Sequence, residues 1–152
     1  MKNLFLSVLA LLLVTNSSTS AESFLCVADK ATGFKFNEVH KNWEQATFNV
    51  SDMKYIIRNP SADDTLIGSA KNQAFVGLEV GGKFPIIFCK DDFDSNGLLF
   101  CNYNISGEFR MNKNLGRFIL YYQVGYVGDA INPGAKEKDN DPGIVIGRCS
   151  PM

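Results

Sequence analysis

The sequence predicts a small all-β domain, an antiparallel β-barrel or sandwich held by two disulfides. Ten short apolar segments alternate with turn residues, no stretch has the periodicity of an amphipathic helix, and four cysteines follow an export signal. Of the two architectures we favour the barrel. Closing the sheet removes the strand edges that so short a chain has no helices to cover.

Residues 1–21 have the pattern of a secretory signal peptide. Lys2 supplies the positive start, residues 4–14 are almost all apolar, and small residues ending at Ala21 fit a signal-peptidase site. The apolar run is shorter than the ~20 residues of a membrane-spanning helix. We therefore expect a mature chain of residues 22–152, forming one β domain without a membrane span. It would be periplasmic or secreted, where disulfides persist.

The strands are expected to follow one another with only short turns between them. Aromatic and β-branched residues mark each segment, and Gly, Asn, Asp or Pro bounds it, as at Gly81-Gly82 and Ser95-Asn96-Gly97. In chain order the predicted strands are residues 24–28, 33–37, 46–50, 53–58, 74–80, 84–89, 98–103, 108–111, 117–127 and 144–149.

Two of these segments differ in the faces that they present. In 108–111, Phe109 and Met111 share one face while Glu108 and Arg110 share the other, which is typical of a strand with one wet face. Segment 117–127 is largely apolar on both faces. We expect it to be covered on both sides, or to use its outer face for binding.

The four cysteines allow three pairings. Cys89 and Cys101 flank a predicted hairpin turn, and Cys26 and Cys149 lie in the first and last strands, which are neighbours in a closed barrel. We therefore favour Cys26–Cys149 with Cys89–Cys101 over Cys26–Cys89 with Cys101–Cys149. The spacing contains no CxxC motif, so structural disulfides are favoured over redox or metal chemistry.

The segment DFDSNG at residues 92–97 matches the first half of a calcium-binding loop. Asp92, Asp94 and Asn96 would supply the oxygen ligands that calcium prefers. However, the twelfth position is Tyr103 instead of a bidentate glutamate. Asp and Asn before Gly are also ordinary hairpin residues, so we favour a plain turn and keep calcium as the alternative. No other cofactor is predicted.

The charge balance and the aromatic content narrow the choice of partners and of binding residues. With 15 basic and 16 acidic residues the chain has no basic excess, which makes nucleic acid a poor candidate partner. Tyr121, Tyr122, Tyr126 and Trp43 are candidate binding residues, although for the tyrosines we favour filling of a small barrel's interior over binding. His40 is the only histidine and has no recognisable nucleophile to activate. We therefore expect no catalytic residues.

Several segments carry a resemblance to known proteins. These are FLCVADKATGF at 24–34, FCKDDF at 88–93, GEF at 107–109, RF at 117–118 and GRCSP at 147–151. They resemble a group of small exported proteobacterial proteins with no assigned activity, which implies a bacterial, periplasmic protein. The architecture is also similar to periplasmic barrels that inhibit lysozyme, but no inhibitory-loop motif can be matched.

Three functional hypotheses follow. The first is a non-catalytic binding or inhibitor module that acts on a protein or glycan of the bacterial envelope, with loops 90–97 and 129–142 making contacts. The second is a carrier that holds a small ligand in the barrel lumen. The third is a calcium-dependent binding module. The sequence does not indicate the oligomeric state.

Overall fold

The computed structural model describes residues 22–64, 70–104, 107–123, 126 and 141–152. Residues 1–21, and with them the predicted signal peptide, lie outside this part of the chain. The described residues form no α-helix, so they contain none that is long and apolar enough to cross a bilayer. Their nine strands are β1 (Ser23–Asn37), β2 (Asn42–Phe48), β3 (Lys54–Arg58), β4 (Phe75–Glu79), β5 (Ile87–Cys89), β6 (Leu98–Tyr103), β7 (Gly107–Asn112), β8 (Arg117–Tyr122) and β9 (Gly143–Pro151).

The strands form one antiparallel sheet that closes into a barrel, which confirms the predicted fold class. The order is β2-β1-β3-β4-β5-β6-β7-β8-β9, and an additional pairing of β1 with β9 closes the ring. The barrel therefore has eight strands, and β2 lies outside it as an extra strand hydrogen-bonded to the second half of β1.

Strand β1 replaces two of the predicted strands. Segments 24–28 and 33–37 are parts of one 15-residue strand, because a register shift between Ala28 and Lys30 carries the chain through Asp29 without ending the pairing with β9. Such a bulge bends a strand and increases its twist. The first half of β1 pairs with β3 and the second half with β2, so this strand contacts three others.

Side chains fill the described part of the barrel interior. The fully buried Ile57, Ile87, Leu99 and Phe109 come from four different strands, as the period of two in each strand requires. Phe109 stacks on Phe118 with ring centroids 5.3 Å apart. A barrel of eight strands is just wide enough to be filled in this way.

The seam between β1 and β9 is held by a covalent bond and by close backbone contact. Cys26 lies directly opposite Cys149 and is bonded to it, with both residues buried inside the barrel. Gly147 lets the strands approach, because a Cβ there would collide with the carbonyl oxygen of Val27 and the ring of Phe118. Any larger residue at this position would push the seam apart.

The second disulfide joins Cys89 at the end of β5 to Cys101 in β6, across the 90–97 turn. The favoured pairing is thus confirmed. The two bridges have similar surroundings, since one cysteine of each is completely buried and the other is 6% exposed. They differ mainly in sequence separation, which is 123 residues for Cys26–Cys149 and 12 for Cys89–Cys101.

This difference predicts unequal contributions to stability. Removing Cys26–Cys149 by a double serine substitution should lower the free energy of unfolding by about 5 kcal/mol, because that bridge restricts the unfolded chain most. The corresponding loss for Cys89–Cys101 should be about 3 kcal/mol. Urea unfolding of the two variants measures both values. Equal losses of stability, or a larger loss for Cys89–Cys101, would contradict the loop-entropy explanation, because the cysteines of the two bridges are buried to the same extent.

Candidate binding surface

The outer side of the barrel between β6 and β9 carries a continuous set of large apolar side chains. Cross-strand register places Phe100 beside Arg110, Arg110 beside Ile119, and Ile119 beside Ile146. In the next row, Tyr121 lies opposite Ile144. Phe34 of β1 lies on the same side of the sheet. It is two residues beyond Thr32, which pairs with Ile144. We call the surface formed by Phe34, Phe100, Arg110, Ile119, Tyr121, Ile144 and Ile146 the outer face.

Much of the outer face is accessible to solvent. The exposed fractions are 51% for Phe34, 53% for Phe100, 41% for Ile144 and 46% for Ile146. Ile119 and Tyr121, also on this side, are half-buried. Contiguous apolar patches of this kind on soluble proteins mark interaction sites more often than isolated exposed residues do.

Arg110 organises the centre of the outer face. Its guanidinium carbon lies 5.5 Å from the ring centroid of Phe100 and 5.8 Å from that of Tyr121. One of its terminal nitrogens donates to Glu108 at 2.6 Å. Stacking on two aromatic rings and pairing with a carboxylate hold the guanidinium in place while other N–H groups stay directed away from Glu108.

A second aromatic cluster lies on the extension that β2 adds to β1. Trp43 of β2 packs edge-on against Phe36, its partner in β1, with centroids 5.4 Å apart, and against Tyr126 at 5.8 Å. Phe36 and Trp43 lie on the same side of the sheet as Phe34 and Thr32, so the cluster continues the outer face beyond the barrel rim. The structure thus brings together Trp43 and Tyr126, two of the four candidate binding residues predicted from the sequence.

The other two predicted binding residues, both tyrosines, lie on opposite sides of the sheet because side chains alternate along β8. Tyr121 belongs to the outer face, whereas Tyr122 packs against Tyr103 at the end of the barrel, with centroids 6.2 Å apart. Tyr103 in turn packs against the buried Tyr55. Burial raises the pKa of the Tyr55 and Tyr103 phenols, and the nearby Glu79 raises both pKa values further. These phenols stay neutral at physiological pH and act as core residues.

Loop 90–97 closes the opposite end of the barrel. Phe93 inserts between Phe24 and Phe75, with ring centroids at 5.6 and 5.3 Å. The Nζ of Lys113 lies 4.4 Å from the Phe93 ring centroid and also pairs with Glu22 at 3.1 Å. Phe93 therefore plugs this end of the barrel, while residues 90–92 and 94–96 are exposed.

The residues of the calcium motif take part in this turn. Asp94 Oδ1 accepts the backbone N–H groups of Asn96 and Leu98, both at 2.8 Å. Asp92 Oδ1 accepts the N–H of Phe93. Gly97 has a φ of +77°, which favours glycine at this position. Across the described ranges, no group of three or more His, Cys, Asp or Glu side chains is placed to hold a metal ion.

His40 lies in the exposed turn between β1 and β2. Its Nδ1 is 3.2 Å from both Asn37 Nδ2 and Glu44 Oε1. Asn37 Oδ1 also accepts the N–H of His40, so the side chains together close the turn. The histidine has the geometry of a turn residue.

The described residues contain one buried carboxylate, Asp64, and it holds a loop in place. It forms a two-point pair with the Arg58 guanidinium at 2.6 and 3.1 Å, and it accepts both the N–H and the hydroxyl of Ser61 at 2.7 Å. Hydrogen bonding to Arg58 is the main reason why the pKa of this carboxyl is well below its usual range. The cluster fixes residues 59–64 after the end of β3.

Sequence reasoning missed most of the outer face. The sequence predicts strands at Phe100, Ile144 and Ile146 but does not indicate that they share a surface, and it predicts Arg110 only on the wet face of its strand. A signal was present in Ile144-Val145-Ile146, which is apolar on both faces as in β8. Two neighbouring strands with this property predict an apolar outer surface wherever a single layer of sheet cannot cover both sides.

The Asp64 cluster predicts an acid-dependent loss of stability. Asp64→Asn should lower the free energy of unfolding at neutral pH by about 2 kcal/mol, because charge-assisted bonds to Arg58 and Ser61 are lost. Folding lowers the pKa, so the stabilisation is fully present above the unfolded pKa of about 3.9 and is lost as the pH falls toward the folded value. Chemical unfolding at several pH values measures this. The neighbouring Asp63→Asn is the matched control, and an equal loss there would contradict the assignment.

The turn interpretation of residues 92–97 is also testable. Asp94→Ala should lower the free energy of unfolding by about 1 kcal/mol, because two backbone N–H groups lose their acceptor. The loss should be the same in EDTA and in calcium. A calcium-induced rise in Tm that Asp92→Ala abolishes would instead support the calcium site.

No protein-family model, curated protein or solved structure that was compared with this chain matches it.

Proposed function

We propose that this chain is an exported, non-catalytic binding module of the bacterial envelope, and that it contacts another protein through the outer face. The main observation that supports this proposal is the exposure of four large apolar residues on one continuous side of the barrel: Phe34, Phe100, Ile144 and Ile146. Two disulfides are consistent with an oxidising compartment outside the cytoplasm, and a periplasmic or secreted location belongs to the proposal.

The composition of the outer face supports a protein partner over a glycan. Tyr, Phe and Arg are the residue types enriched in protein–protein interfaces, and Arg110 with its two aromatic neighbours has the character of an interface hot spot. The aliphatic Ile144 and Ile146 offer no hydrogen-bonding groups to a sugar. They would pack well against apolar side chains of a protein.

The filled interior supports binding outside the barrel instead of carriage inside it. Tyr55 contacts both Phe109 and Phe118 edge-on, with centroids at 6.4 and 6.0 Å, and these rings occupy the space where a ligand of a carrier would lie. Phe93 fills one end of the barrel in the same way. The apolar surface that remains accessible is on the outside.

Photo-crosslinking in the native compartment tests this proposal. A photoreactive phenylalanine analogue at position 100 should give a discrete crosslinked protein, because Phe100 lies within the outer face. The same analogue at position 84 is the matched control, since Phe84 is 66% exposed and lies in the β4–β5 loop, outside the strands that carry the outer face. Phe100→Ser should then weaken binding of the identified partner at least tenfold, a loss of about 1.4 kcal/mol or more.

Equal crosslinking at positions 100 and 84 would contradict the proposal, as would a Phe84→Ser variant that loses the partner as fully as Phe100→Ser. Circular dichroism checks that both variants remain folded. Because each phenylalanine is more than half exposed, neither substitution removes a core residue.

A further inference from the structure

Two arginines face each other on the outside of the barrel, next to the apolar rows. Arg117 of β8 and Arg148 of β9 are direct cross-strand partners, and both are exposed. Like charges placed directly opposite each other destabilise a pair of strands. A chain with a net charge of −1 nevertheless places them together.

Further basic side chains border the same position. Ile119 and Ile146 form the adjacent row, which Arg110 of β7 and Lys30 of β1 continue on either side. We call Lys30, Arg110, Arg117 and Arg148 the basic strip. Two acidic residues pair with it: Glu108 with Arg110 at 2.6 Å, and Asp29 with Arg148 at 3.3 Å.

The balance of charges on the strip is positive. Its four basic residues exceed the two acidic residues that pair with them, and none of the described residues forms an ion pair with Arg117. Arg148 is held only loosely, since its side chain is 81% exposed and its pair with Asp29 is the longest ion pair in the described part of the chain. The strip therefore has unused donors that point to solvent.

We propose that the basic strip binds carboxylates of an acidic segment in the protein partner, and that apolar residues of the same segment pack on Ile119 and Ile146. This inference rests on the proposed function and gives the chemistry of the partner. Charge complementarity gives the two adjacent arginines a role, because a carboxylate between them turns an unfavourable pair into a two-sided clamp.

The spacing of the outer face fits an extended segment. Ile146 and Arg148 are two residues apart in β9, which corresponds to about 6.6 Å along a strand. In an extended peptide, side chains two residues apart on one face have the same spacing. A segment with an apolar residue followed two positions later by a glutamate or aspartate would match both rows. A nucleic acid or sulfated glycan would supply anions without the apolar side chains.

A synthetic peptide tests the inference directly. The probe is a capped peptide of repeating Val-Ser-Glu-Ser, and its matched control replaces each glutamate with glutamine. In NMR titrations of the full-length mature protein, the glutamate peptide should shift the amide signals of β8 and β9. It should bind at least tenfold more tightly than the glutamine peptide. R117Q/R148Q should weaken its binding at least tenfold, whereas Lys83→Gln, a charge removal on the far side of the barrel, should not.

A stability measurement separates a binding role from a structural one. Because the arginine pair is unfavourable in the free protein, R117Q should leave Tm unchanged or raise it by about 1–3 °C at low salt. A marked fall in Tm would show that the pair supports the fold, and would overturn the inference. Equal binding of the glutamate and glutamine peptides, or of the glutamate peptide by wild type and R117Q/R148Q, would also overturn it. So would tighter binding of a heparin oligosaccharide or single-stranded DNA than of the peptide.

These outcomes are distinct from failure of the proposed function. If the partner crosslinked at position 100 binds the Phe100→Ser variant more weakly but binds R117Q/R148Q as tightly as wild type, the outer face is the binding surface and the basic strip is not part of it. If position 100 gives no specific crosslink, the proposed function itself fails.

Discussion

The structure depends on the pairing of β1 with β9, because this contact turns an open sheet into a closed barrel. β1 continues for 15 residues and stays paired with β9 on both sides of the register shift at Asp29. The Cys26–Cys149 bond and the close backbone approach at Gly147 hold this seam. Once the ring is closed, the period of two in each strand leaves one set of side chains inside and the other outside. The filled core and the outer face are two results of the same constraint.

Closure also explains why the apolar outer face exists. β8 carries Phe118 and Leu120 on one side and Ile119 and Tyr121 on the other, and a single layer of sheet buries only one of these sides. The interior takes Phe118 and Leu120, which are almost completely buried. The barrel has β2 as its only additional strand among the described residues, and β2 extends β1 along the rim without covering β8. Apolar side chains of β8 and β9 therefore face solvent.

Much of the fold was predictable because it follows from local patterns. The position of each cysteine relative to the turns was enough to favour the correct pairing, and the alternation of Phe109 and Met111 with charged residues identified the inner face of β7. The continuity of β1 was not predictable, because Asp29 and Lys30 look like the residues of a turn and only pairing with a distant strand carries the chain through them. The outer face was missed for a similar reason. Periodicity shows that both sides of β8 are apolar, but which side is covered depends on the closure of the whole sheet.

The candidate site combines two features that each oppose stability in the isolated molecule. Exposed phenylalanine and isoleucine side chains order water around apolar surface, and paired arginines repel each other. Each feature alone is common on protein surfaces, and each is relieved by a different kind of contact, burial for the apolar rows and a neutralising anion for the arginines. In this barrel they lie in adjacent rows of the same two strands, so one ligand with apolar and acidic groups side by side would relieve both. This adjacency is why we propose a binding role for the outside of β8 and β9 instead of for the barrel interior.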